Sequence, residues 1–209
     1  MATSSDRPPT RSGADVLELA VLGLLADGPT HGYALRQRLS AVLGTFRSFS
    51  FGSLYPTLKR LSGAGFVIDQ HEPVDVDAVP LTSRRSRVIY VITPEGKERL
   101  TDLLADSGPQ ARSDDGFGVH LAFFARTPSP IRVRILEGRR RRIEEGRENR
   151  RSALARAADR LDRYTAELHQ LGLDAADREV RWLDQLIAHE REHHAGGPPC
   201  TYPGPSDIR

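Results

Sequence analysis

Between Gly28 and Ile68 the chain carries five basic side chains, Arg36, Arg38, Arg47, Lys59 and Arg60, and no Asp or Glu. Cations gathered without counter-charges suit a polyanion, which gives up condensed counter-ions when guanidinium and ammonium groups approach its phosphates. An acidic stretch follows at Asp69, Glu72, Asp75 and Asp77, then a second basic cluster at Arg84, Arg85 and Arg87. A different chemistry is suggested near the other end. His189-Glu190-Arg191-Glu192-His193 has the H-E-x-x-H spacing, which on a helix turns two imidazoles toward one ion and offers Glu190 as a general base. His194 and Cys200 follow closely. A catalytic zinc also needs a third ligand and a walled cleft, and the Gly- and Pro-rich residues after His193 mark neither. The expectation is a protein that is not an enzyme and holds no metal or cofactor, with a zinc-dependent hydrolase kept as an alternative.

Composition narrows the field. The chain has 209 residues, 38% hydrophobic and 28% charged, with a formal charge of +2. Its longest apolar run, Leu19 to Ala26, is eight residues, against about 20 for a membrane span. No basic head followed by an apolar run and a cleavage site marks secretion. One cysteine, Cys200, excludes an internal disulfide and fits a reducing cytoplasm, the expected location.

The elements that would position these residues follow from periodicity. Residues 1–14, rich in Ser, Thr, Pro and Arg, are expected as a disordered arm. Asp15 can cap a helix with Leu17, Val21, Leu24 and Leu25 inward, ended by Gly28-Pro29. A second helix starts at Thr30 or His31 and closes at Gly44. A third runs from about Gly52 to Ala64, with Leu54, Leu58 and Leu61 on one face and Pro56 in its first turn. Residues 66–68 and 88–92 are β-like, joined by a long polar connection as an extended hairpin. Thr93-Pro94 opens a helix to about Ala105. After a linker at 107–116, helix resumes from Phe117, and Ser129-Pro130 starts one expected to continue to Leu171. Its Leu154, Ala157, Leu161, Tyr164, Leu168 and Leu171 step by three and four, a heptad seam for a partner helix. Gly172 is expected to end it, with Asp174 capping a last helix that turns Val180, Leu183 and Ile187 inward. Residues 195–209 are expected as a flexible tail.

This order describes a mainly α chain with a small β-hairpin: a winged helix-turn-helix over 15–106 and a helical dimerisation domain over 117–194. The Gly28-Pro-Thr-His-Gly-Tyr33 turn and the Gly52-Ser-Leu-Tyr-Pro-Thr-Leu-Lys-Arg-Leu61 run resemble the PadR family of bacterial transcriptional regulators. Thr93-Pro94-Glu95-Gly96-Lys97 and, more loosely, Asp114 to Phe124 are similar to it too. Phe51 departs from the family, which commonly has a small residue or proline there, and the wing is longer than usual. The resemblance implies a homodimer that reads a pseudo-palindromic operator in double-stranded DNA, mostly represses, and often releases DNA when a small, frequently aromatic, effector binds near the dimer interface.

On that frame the third helix lies in the major groove. Ser53 and Thr57 would reach base edges or phosphates, and Lys59 and Arg60 the backbone. Tyr33 and Tyr55 would offer hydroxyls to phosphates, Ser50 joins the contact set, and Arg84, Arg85 and Arg87 would follow the backbone or enter the minor groove. Leu154, Leu161, Tyr164, Leu168, Leu183 and Ile187 are the expected dimer interface. Trp182, Phe117 and Phe124 are the candidate effector-pocket walls. A helical adaptor that binds a protein partner is the other reading, since fold alone does not settle function.

Overall fold

The structure, a computed structural model, describes residues 11–43, 53–71, 88–157 and 161–193. The chain divides into two compact units, Met1–Ile131 and Arg132–Arg209.

The first unit is built around α1 (Arg11–Leu25), whose Val16, Leu17, Leu19, Leu22, Leu24 and Leu25 are all buried. A helix apolar on every side must be surrounded. Accordingly α2 (Gly32–Leu43), α3 (Leu54–Gly63) and α4 (Pro94–Ala105) all pack on it, as does α5 (Phe117–Ala122). Helix α1 begins at Arg11, four residues before the expected cap at Asp15. Nothing from Arg11 to Asp15 forbids helix, and extending a packed helix needs no new nucleus. Residues 1–10 and the expected tail lie outside the described residues.

Thr30–His31 forms a short strand, β1, rather than the start of α2. It pairs antiparallel with β3 (Val88–Ile92), which pairs on its other side with β2 (Val67–His71), so a three-stranded sheet replaces the expected two-stranded hairpin. Gly28, at φ +145°, turns the chain from α1 into that position. Strand β2 also runs past Ile68 through Asp69 and Gln70, because register with β3 outweighs side-chain polarity on an exposed strand face. Helix α4 starts as expected: the Thr93 hydroxyl accepts from Gly96 N at 3.0 Å and donates to Gly65 O at 2.7 Å.

The expected linker is part of this unit. A 3-10 turn at Gln110–Arg112 buries Ala111 completely, and α5 packs on α1 and α2. The ring of Phe123 occupies the space beside Gly23 of α1, where a Cβ would lie 2.4 Å from it. The division between units therefore falls at Ile131, not at 107–116.

The second unit is an antiparallel pair, α6 (Ser129–Ala157) with α7 (Arg163–His193). Arg132–Glu190 (3.0 Å), Arg140–Asp184 (2.9 Å) and Arg147–Asp177 (2.5 Å) set the direction, one number rising as the other falls. The expected continuous helix to Leu171 is broken before Arg163. Asp162 caps α7, accepting from Tyr164 N at 2.9 Å and Thr165 N at 3.1 Å. Helix α7 then passes through Gly172, the expected stop. A helical glycine costs about 1 kcal/mol, less than the burial of Leu173, Ala176, Val180, Leu183 and Ile187, whose steps of three and four form the inward seam.

Candidate nucleic-acid interface

Helices α2 and α3 with the paired strands β2 and β3 give the elements of a winged helix-turn-helix. Pro56 lies in the first turn of α3, where a missing N–H costs nothing, and Leu54, Leu58 and Leu61 anchor the helix to the core. That anchoring leaves Tyr55, Pro56, Lys59 and Arg60 exposed and Ser53 half-buried. Thr57 does not join them. It is buried, one turn before Leu61 on the inner face, and is withdrawn from the expected contact set.

On α2, Tyr33 is 59% exposed and heads an open groove of about 440 Å³ lined with Arg36, Gln37 and Ser40. Gln37 Nε2 donates to the Tyr33 hydroxyl at 3.2 Å, which orients the phenol. Gln37 and Ser40 were not singled out from sequence, and Arg36 only as one cation of the acid-free stretch, though their i+3, i+4 and i+7 spacing from Tyr33 places all three on its helical face. Gly32 lets two further rings close over the start of α2: a Cβ there would lie 3.2 Å from Tyr90 and 3.6 Å from Tyr55. Burial first, then the charge of Asp69, then Tyr55, hold the Tyr90 phenol above its usual pKa, so it stays an O–H at neutral pH.

The acid-free stretch is less positive in space than in sequence. Arg38 pairs with Asp27 at 2.8 Å, and Arg60 with the buried Glu18 at 2.6 Å. Both acids lie just outside the stretch, on α1 and the turn that follows. Glu18 was not expected as a functional residue; its signal was a lone carboxylate inside an apolar run. Lys59 and Arg36 remain exposed. Ser50, Arg84, Arg85 and Arg87 lie outside the described residues, as do Arg47 and the acidic loop before the wing arginines.

The expected interface residues of the second unit divide. Tyr164 and Leu168 are 83% and 67% exposed, whereas Leu183 and Ile187 are buried within the single chain, and Leu154 and Leu161 are intermediate. Leu183 and Ile187 are core residues because they fall on the α7 seam. Of the candidate pocket walls, Phe117 is buried and Phe124 half-buried in the first unit, and Trp182 belongs to the second. In the H-E-x-x-H run, Glu190 is paired with Arg132, so the carboxylate a general base would need is already engaged. Among the described residues no group of three or more His, Cys, Asp or Glu is placed to hold a metal ion, and no helix is long and apolar enough to cross a membrane. The His193 side chain, His194 and Cys200 lie outside the described residues.

A winged helix-turn-helix with an exposed polar and basic face, joined to a long helical pair, defines the class. The transcriptional regulator PadR-like family model matches residues 21–102. Over 94 residues the chain is 32% identical to the negative transcriptional regulator PadR of Bacillus subtilis, covering 45% of this chain and 48% of that protein. Over 86 residues it is 36% identical to the transcriptional regulator Rv3488 of Mycobacterium tuberculosis, covering 41% of this chain and 70% of that protein. The chain thus spans about half the length of the first of these relatives and about two thirds of the second. The chain belongs to the PadR-like family of transcriptional regulators. Among solved structures, Bacillus subtilis PadR in complex with operator DNA aligns at 21% identity, over 84% of this chain and 99% of that one, with a TM-score of 0.40. A PadR-like regulator of Bacillus cereus aligns at 21% identity over 86% and 98%, with a TM-score of 0.36.

Proposed function

We propose that this protein is a homodimeric, sequence-specific DNA-binding regulator of the cytoplasm that represses transcription and is released from its operator by a small-molecule effector. The observation that carries the reading is the set of exposed polar and basic side chains on α2 and α3. Tyr33, Arg36, Gln37, Tyr55 and Lys59 are all exposed there, and the stretch that supplies them contains no acid. Such a set meets phosphates with charge and hydroxyl donors, and leaves the N-terminal end of α3 to reach base edges. Repression is supported by the negative regulator of Bacillus subtilis among the relatives. Release by an effector follows the family resemblance.

Dimerisation is supported by a second stripe on α7. Tyr164, Leu168 and Leu171 are exposed, and Trp182, 18 residues beyond Tyr164, falls on the same line after five helical turns. This stripe is separate from the buried seam and suits the α7 face of a second copy. Trp182 is accordingly reassigned from pocket wall to dimer face. Two copies joined this way would set their recognition helices about 34–36 Å apart, one turn of DNA.

The test is fluorescence anisotropy of the protein titrated onto DNA from upstream of its own gene and onto a scrambled duplex, at two salt concentrations. Preference for the native fragment, weakening with salt, supports the regulator and provides the assay for an effector screen. Absence of binding to either duplex at low salt rejects it in favour of a helical adaptor.

A further inference from the structure

Glu18 is 1% exposed on a helix whose neighbouring positions Val16, Leu17 and Leu19 are 4% exposed or less. A carboxylate so placed is stable only if cations come to it. Two do, from different elements. Arg99 of α4 donates its Nε–H to Oε1 at 2.6 Å, and Arg60 of α3 brings Nη1 within 2.6 Å of Oε2. The Arg60 contact is an ion pair rather than an aligned hydrogen bond, since Oε2 accepts none. Asp15, one turn before Glu18, lies 3.9 Å from Arg99 and balances the second cation.

Arg60 lies in the last turn of α3, where a cation is favoured by the helix dipole, while the Tyr55 ring in the first turn lies over Gly32. The exposed helix is thereby held at both ends against rotation about its own axis. A helix read by base edges must hold that rotation, because register and orientation decide which atoms meet.

We infer that Glu18 is a positioning residue for α3: its buried carboxylate clamps Arg60 and Arg99 together, and Arg60 serves the aim of the recognition helix rather than contacting phosphate. The inference rests on the DNA-binding reading for its functional consequence and on the ion-pair geometry for its mechanical one, and each part is tested separately.

Glu18→Gln, Arg60→Gln and the double variant are compared with wild type in the full chain. Without DNA, hydrogen exchange of the α3 amides is expected to speed up by at least about tenfold in each single variant and no further in the double. Unchanged α3 exchange in Arg60→Gln, which loses only a half-exposed side chain and needs no buried replacement, overturns the clamp. With DNA, the same variants lose at least about tenfold in affinity for the upstream fragment and keep both scrambled-duplex affinity and salt slope. A fall of about 0.9 in the salt slope for Arg60→Gln, with preference for the fragment retained, makes Arg60 a phosphate contact and overturns the inference. Failure of the wild type to prefer its upstream fragment counts against the regulator reading, and the exchange measurement then decides the clamp alone.

Discussion

Arg38 and Arg60 look alike in the sequence, two cations in a stretch without acids, and in space each has met an acid from outside it. Charge counting along the chain finds a basic segment but not the carboxylates that fold back onto it, which is why Lys59 and Arg60 were read alike although Arg60 is paired with the buried Glu18. A buried polar residue is likewise hard to foresee one position at a time. His120 on α5 is 4% exposed and its Nδ1 accepts and donates nothing. Burial, opposed by the charge of Asp106, holds its pKa below the ordinary 6.5. The unfolded chain therefore takes up a proton near pH 6.5 that the folded chain resists, so stability present above that pH is lost as pH falls toward the folded pKa. The urea midpoint is expected to drop between about pH 7.5 and pH 5, and His120→Gln to flatten the drop. An identical slope in the variant would assign the acid sensitivity to other groups.

At the scale of elements, the helices of the first unit followed from apolar spacing, a cap at Thr93 and prolines at first-turn positions, all local signals. The failures came where a local signal was overruled. Gly172 reads as a helix stop, but α7 continues because the seam buried immediately after it, from Leu173 to Ile187, outweighs the cost of the glycine, while Asp162, unremarkable in sequence, caps the helix by accepting three hydrogen bonds from Tyr164 and Thr165. Strand β1 is too short to show any periodicity and exists through its pairing with β3. Two glycines inside helices separate intrinsic propensity from packing. A Cβ on Gly96 would lie 2.1 Å from Phe66 O, and that carbonyl cannot retreat while it accepts from Thr93 N at 3.1 Å. A Cβ on Gly146 meets nothing within 4 Å. Gly96→Ala is expected to lose about 3 kcal/mol despite the roughly 1 kcal/mol gained in propensity. Gly146→Ala is expected to gain about 0.5–1 kcal/mol. Denaturant titrations of both variants check the two signs, and a stabilised Gly96→Ala would show that α4 packs less tightly on the sheet.

At the scale of the molecule, α7 carries two apolar lines with opposite fates, and sequence periodicity merged them into one interface. Leu183 is fully buried, whereas Leu168 is 67% exposed. An aspartate at each position distinguishes core from interface. Leu183→Asp buries an unpaired charge and is expected to cost about 3–5 kcal/mol, enough to unfold much of a marginally stable chain. Leu168→Asp places its charge in water in the single chain, so the fold and its thermal transition persist, but the carboxylate would face the apolar stripe of the second copy. Analytical ultracentrifugation at micromolar concentration is expected to show wild type as a dimer and Leu168→Asp as a monomer with unchanged far-UV circular dichroism. Losing the partner also removes the effective concentration that links two half-sites, so affinity for the upstream fragment should fall by about 10²–10⁴-fold while a single recognition helix keeps its own weak contacts. A Leu168→Asp protein that remains dimeric would place the interface elsewhere, and with it the spacing at which the two recognition helices meet DNA.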